Sequence, residues 1–149
     1  MTSNITEFLN GTGIDHQGRF ITDIWKFSDR DIEYKHDFIQ WVFPLTEPSM
    51  SVFGAPVLDQ KDIDTILLSE VARTNITKSA DWFLGFLRRN EHWIKAYDHN
   101  HLRITRTIKS LRLLVGDEEA NKFRRNLFLR LGYKTNLLKK SAIEFWNNA

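Results

Sequence analysis

Apolar residues recur at helical spacing along most of the chain, and no stretch convincingly shows the apolar and polar alternation of a strand. From Asp29 to Phe43 they form two stripes, with His36 inside one of them. This pattern predicts a central helix that Pro44 ends, because proline cannot continue a helix. The proline- and glycine-containing segment that follows, residues 44–58, is predicted to be a loop.

The same spacing predicts a long helix over residues 59–89, interrupted by polar residues so that it bends or breaks near Asn75. A short first helix is expected where Asn4 and Glu7 match a capping box. Residues 18–25 are too short for their period to distinguish a helix from an extended segment.

Three more helices are predicted after residue 90. Gly116 and Gly132 separate them, because glycine is favoured just beyond the last helical residue. The first begins at Asp98 or Asn100, and the last begins near residue 135. The sequence therefore predicts an all-α, single-domain helical bundle of about six helices with a long central helix region. The residues expected to face the core are Ile104, Ile108, Leu111 and Val115, then Ala120, Phe123, Leu127 and Leu131, and finally Leu138, Ala142, Phe145 and Trp146.

Length and composition fit one domain over residues 1–149, because 149 residues is an ordinary size for a single core. No apolar run is long enough for a membrane span, and the first residues lack the pattern of a secretory signal. We therefore expect a soluble, intracellular, cytoplasmic chain. The absence of cysteine excludes disulfides, thiolate metal sites and cysteine nucleophiles.

Charge is divided unevenly along the chain. Residues 1–101 hold 10 of the 21 basic and 15 of the 19 acidic residues, whereas residues 102–149 hold the other 11 and 4, giving formal charges of −5 and +7. This division has two interpretations. The basic end binds an anionic partner, or the two parts of one domain attract each other, which is the interpretation we favour.

Histidines are the main candidates for chemistry. His92, His99 and His101 lie near Asp98, and imidazole with carboxylate is a ligand set of zinc or non-haem iron. Their spacing is not diagnostic, so surface or capping histidines are favoured and no metal is expected. His36 is expected to be a hydrogen-bonded core residue rather than a general base. Since no nucleophile elbow, phosphate loop or dinucleotide fingerprint occurs, we expect no catalytic residues, no cofactor and no enzyme.

Two longer segments carry a family resemblance. Residues 36–48, HDFIQWVFPLTEP, resemble the H-x-F-I-Q-W-L-F-P signature of the opioid growth factor receptor conserved region. Residues 100–111, NHLRITRTIKSL, resemble its second signature, and residues 82–86 and 18–23 are similar to segments between and before the two. The resemblance covers about residues 5–130 and is strongest over residues 18–115.

The resemblance implies a predominantly helical domain named for a receptor of the peptide methionine-enkephalin, associated with the nuclear periphery, and it implies no enzyme. We therefore predict a receptor-like domain that recognises a peptide or protein partner. The alternative is a surface that binds nucleic acid or an anionic membrane through the basic carboxyl-terminal part. Arginine holds carboxylates and aromatic residues hold apolar side chains, so the predicted ligand-binding residues are Trp41, Trp93, Asn100, Arg103, Arg106 and Lys109.

Overall fold

Helices form every regular element of residues 2–49 and 52–149, the part of the chain that the computed structural model describes. This confirms the all-α class. Nine α-helices occur in this part, joined by connecting segments of different lengths and by one 3₁₀ helix, Gly132–Leu137. The α-helices are α1 (Asn4–Leu9), α2 (Ile21–Ile24), α3 (Asp29–Tyr34), α4 (Ile39–Val42), α5 (Gln60–Leu67), α6 (Glu70–Arg89), α7 (Asn100–Leu114), α8 (Asp117–Leu131) and α9 (Lys140–Asn148).

The three longest helices, α6, α7 and α8, pack against one another and form the centre of the molecule. Helices α1 and α5 lie on α6, α4 lies on α1, and α9 lies on α7. One continuous apolar core joins these elements, from Ile5 near the start to Trp146 near the end. Its largest fully buried side chains are Trp93, Trp146, Phe8, Phe38, Phe43, Phe83 and Phe86.

The predicted central helix over residues 29–43 is wrong, because the chain breaks between α3 and α4. Lys35 has an extended backbone, with φ −87° and ψ 131°. The Arg103 guanidinium donates to the carbonyl oxygens of Ile32 at 2.6 Å and Lys35 at 2.7 Å, and so replaces the helical partners that these groups lose. The break leaves His36 exposed, not within the core as the periodicity predicted.

The predicted helix over residues 59–89 is also divided, but at residues 68–69 rather than near Asn75. Ser69 ends the first part and caps α6, where its hydroxyl accepts from the Ala72 N–H at 3.1 Å. Asn75 lies within α6, and its side chain donates to the Leu9 carbonyl oxygen at 2.8 Å. Its polar side chain therefore joins α6 to α1 instead of bending the helix.

The predictions for α7 and α8 are confirmed, including the glycines that end each helix. Gly116 and Gly132 have φ of 144° and 55°, in the region that favours glycine. The last helix begins at Lys140, later than predicted, because the 3₁₀ helix precedes it. Trp146 is buried as expected, whereas Phe145 is exposed.

The described residues between α4 and α5, 43–49 and 52–59, contain no helix, in agreement with the loop predicted over residues 44–58, and residues 50 and 51 lie outside the described part of the chain. Within the described ranges, every helix is too short or too polar to cross a membrane.

Candidate functional site

The residues that the sequence singled out, except Trp41, lie on α7 or in the segment before it, where they contact other parts of the same chain. Trp93, Asn100 and Arg103 are buried, and Trp41 is only 9% exposed. Arg106 and Lys109 are partly buried. The structure thus brings five of the six residues onto α7 or just before it, and Trp41 lies on α4.

Arg103 has the most enclosed charge of this group. Besides the carbonyls of Ile32 and Lys35, its guanidinium meets the side-chain oxygen of Asn100 at 3.3 Å and lies 5.3 Å from the centre of the Phe38 ring. Burial lowers the pKa of Arg103 to about 10, and the nearby carboxylates of Glu33 and Asp98 oppose that shift. The residue stays charged at neutral pH and holds the end of α3 against α7.

Polar residues further along α7 form hydrogen bonds and an ion pair with the segment that follows α4. Arg106 Nε donates to the Phe43 carbonyl oxygen at 2.8 Å, and Ser110 Oγ donates to that of Pro44 at 2.9 Å. Lys109 Nζ lies 3.4 Å from a Glu47 carboxylate oxygen. The two signature segments, residues 36–48 and 100–111, therefore pack on each other.

The side chains of the two tryptophans pack within the protein and do not line an exposed surface. The Trp93 indole N–H meets the carbonyl oxygens of Leu87 at 3.0 Å and Asn90 at 2.9 Å, while His101 Nε2 donates to the Trp93 carbonyl oxygen at 2.8 Å. Trp41 lies between Phe8, with ring centres 5.3 Å apart, and His16. His101 and Trp93 together fix the turn that leads into α7.

The principal partner of His92 and His99 is Glu33 of α3, which the sequence pattern did not predict. One Glu33 carboxylate oxygen lies 2.7 Å from His99 Nε2, and the other contacts His92 Nε2. The Asn100 side-chain amide lies 3.4 Å from both oxygens. The sequence offers no direct signal for this, because Glu33 lies 59 residues before His92.

The neighbouring His36 ring packs at 5.1 Å from the ring of His99. Burial lowers the pKa of His36, and Arg103 and His99 lower it further. We call Glu33, His92, Asp98 and His99 the histidine–carboxylate cluster.

A second surface feature was also missed: an apolar groove between α7 and α9. It has a volume of about 490 Å³. Three large apolar side chains of its lining are exposed: Tyr97, Leu102 and Phe145. Leu102 could have been found from the sequence, since it is an apolar residue outside the buried stripe of α7. The lining also includes Asp98 and Lys139, and the Lys139 ammonium lies 4.1 Å from the centre of the Tyr97 ring.

The basic carboxyl-terminal residues mostly bind other parts of the chain. Arg130 donates to the Asn90 carbonyl oxygen at 3.1 Å, and Lys134 lies 2.9 Å from a Glu91 carboxylate oxygen. Arg112 lies 2.8 Å from Asp117 and also bonds Asn121. The contacts of Arg130 and Lys134 with residues 90 and 91 support attraction between the two parts of one domain. They give no support to the alternative of an anion-binding surface.

Together the fold and these features define an all-α domain with an apolar surface groove and without a visible catalytic arrangement among its described residues. The model of the family described as "Opioid growth factor receptor (OGFr) conserved region" matches residues 2–90, more than half of the chain. The chain belongs to this family, as its two signatures predicted.

Named relatives agree with this assignment. The chain is 30% identical to the opioid growth factor receptor of Mus musculus and 28% identical to that of Homo sapiens, over 72% and 74% of its length. It is 25% identical to opioid growth factor receptor-like protein 1 of Mus musculus over 73% of its length. The aligned parts span 20%, 19% and 28% of those proteins, so the chain corresponds to less than a third of each. No solved structure matches the chain.

Proposed function

We propose that this chain is a non-enzymatic binding domain that recognises a peptide or protein segment in the groove between α7 and α9. The observation that carries the proposal is the exposure of Tyr97, Leu102 and Phe145 in one concave lining. Grouped apolar side chains on a surface mark interaction sites, because leaving them in water is unfavourable. A groove of this kind suits an apolar or aromatic side chain of a partner.

The charged and aromatic groups of the lining indicate which functional groups a partner would present to the groove. Lys139, held over the Tyr97 ring, is a cation within reach of a partner carboxylate, and two aromatic rings offer stacking or edge contacts. A short peptide with an aromatic or large apolar side chain beside a carboxylate meets both requirements. The receptor names of the relatives, which refer to an opioid growth factor, support a peptide partner and a non-enzymatic role.

Direct ligand contact by Trp41, Trp93, Asn100, Arg103, Arg106 and Lys109 stays a prediction. Their contacts within the chain favour a framework role, in which they hold α3, α4 and the turn before α7 in place. Lys109→Ala tests direct contact with the least structural damage, because its side chain is partly exposed and its contact with Glu47 is a surface ion pair.

The groove is tested by titrating the protein with a panel of short peptides, including methionine-enkephalin, and following heat release and thermal stability. A ligand that binds only the folded chain raises its stability. Leu102→Asp should weaken saturable binding at least tenfold, because it places a charge in the apolar lining. Leu129→Asp is the matched control: Leu129 is 74% exposed and Leu102 is 72% exposed, and Leu129 lies on α8 outside the groove.

Equal affinity of wild type and Leu102→Asp would contradict the groove as the binding site. If none of the peptides bound saturably, peptide recognition would be contradicted. Stabilisation by oligonucleotides or anionic lipid alone, disappearing as salt is added, would instead favour the anion-binding alternative, since contacts with phosphates release counterions.

A further inference from the structure

We propose that the histidine–carboxylate cluster is a binding site for a divalent first-row transition metal such as Zn²⁺. One ligand atom each from Glu33, Asp98 and His99 lies within 4.8 Å of the other two. Ligands at about 2.0–2.2 Å from a zinc ion lie roughly 3–4 Å from one another. Small side-chain rotations therefore bring these three groups onto one ion.

His92 Nε2 contacts the second carboxylate oxygen of Glu33 and is not one of the three groups whose ligand atoms lie close together. The set is one imidazole nitrogen and two carboxylate oxygens, with the remaining position left to water. Zinc and its first-row neighbours accept this mixture, whereas magnesium and calcium prefer oxygen ligands alone. Two carboxylates also balance the double charge of the ion.

The carboxylates are held in place by groups that are not ligands themselves. The Asn100 backbone N–H donates to Asp98 Oδ1 at 2.9 Å, and its side-chain amide faces both oxygens of Glu33. The side chains of Glu33 and Asp98 are 14% and 5% exposed, so few orientations are open to them. Such outer contacts orient metal ligands and raise affinity. The histidine side chains are more accessible, which gives an ion a route from solvent.

The basic side chains nearest the cluster do not occupy the position proposed for the metal ion. Arg103 directs its donors to the carbonyl oxygens of Ile32 and Lys35 and to Asn100. Lys95 Nζ lies 3.7 Å from Asp98 Oδ2, but its side chain is largely exposed and can move into solvent when an ion binds. The charge of Arg103 opposes a second cation nearby, so we expect moderate rather than very tight affinity.

The test is calorimetric titration of the whole chain with ZnCl₂, with MgCl₂ as a second probe. We expect one zinc ion per chain, a rise in melting temperature and no comparable binding of magnesium. His99→Gln and Glu33→Gln should each weaken zinc binding at least tenfold. His16→Gln is the matched control, because the side chains of His16 and His99 are both 41% exposed and each pairs with a carboxylate. It should bind zinc within twofold of wild type.

Zinc binding that is absent or not saturable in the wild type would overturn the proposal, and so would equal affinity in His99→Gln and wild type. Circular dichroism shows whether each variant is folded. If one is not, the histidine side-chain NMR signals of the wild type locate the ion directly. Zinc-dependent shifts of His99 support the site, whereas shifts centred on His16 overturn it.

Discussion

Arg103 shows how one side chain on α7 fixes the path of a segment 71 residues earlier. Its planar guanidinium satisfies two carbonyl groups at the end of α3 at once, which a lysine ammonium with the same charge does not match in geometry. The residue is 5% exposed, so its charge depends on these partners and on the carboxylates around it. Removing it leaves buried carbonyl oxygens without a donor.

We expect Arg103→Ala to lower the free energy of unfolding by about 2–4 kcal/mol, because buried acceptors lose their partners and a cavity forms. Urea unfolding followed by circular dichroism measures this. Arg103→Lys should recover only part of the loss. Arg125→Ala, at an exposed position of α8, should change stability by less than about 0.5 kcal/mol. Equal losses in Arg103→Ala and Arg125→Ala would contradict the capping role.

At the scale of elements, the position of a helix break depends on a local capping residue together with a hydrogen-bond partner that is distant in sequence. Ser69 separates α5 from α6: its hydroxyl accepts from the first turn of α6 and donates to the side-chain oxygen of Asn10 at 2.7 Å. The apolar stripe continues past this serine, so the sequence pattern predicts a bend or break only near Asn75. The contact with Asn10, 59 residues earlier, ties the break to the end of α1.

Ser69→Ala should lower the free energy of unfolding by about 1–2 kcal/mol, since loss of a helix cap costs about this amount. Chemical denaturation measures the change. Ser141→Ala is the comparison, because Ser141 is exposed in the first turn of α9. A loss confined to Ser69→Ala supports the cap, and no difference between the two variants would show that the cap contributes little.

At the scale of the whole molecule, α9 closes the bundle by placing one aromatic residue inside and its neighbour outside. The fully buried Trp146 packs against His101 and Phe128, and its indole N–H donates to the His101 carbonyl oxygen at 3.2 Å. Phe145 is 61% exposed and lines the groove. The orientation of α9 therefore decides which of its aromatic residues fills the core and which one is exposed in the proposed binding surface.

Trp146→Ala should lower the free energy of unfolding by about 3–5 kcal/mol, because it empties a large volume in the core. Phe145→Ala should cost less than about 1 kcal/mol, since its side chain is mostly in water. Thermal unfolding of the two variants makes the comparison within one helix. A larger loss for Phe145→Ala than for Trp146→Ala would mean that α9 is rotated from the orientation described here.

Sequence alone was sufficient for the helical class, the bounds of α7 and α8 and the family, because helical period, glycine stops and two signatures are local properties of the chain. It could not place the break after Tyr34, since the donor that stabilises it lies on α7. It also could not join Glu33 to His92 and His99. Only the tertiary structure decided which polar residues are buried and hold distant segments together, and which apolar surfaces remain exposed to solvent. Both outcomes depend on contacts between segments that are far apart in sequence.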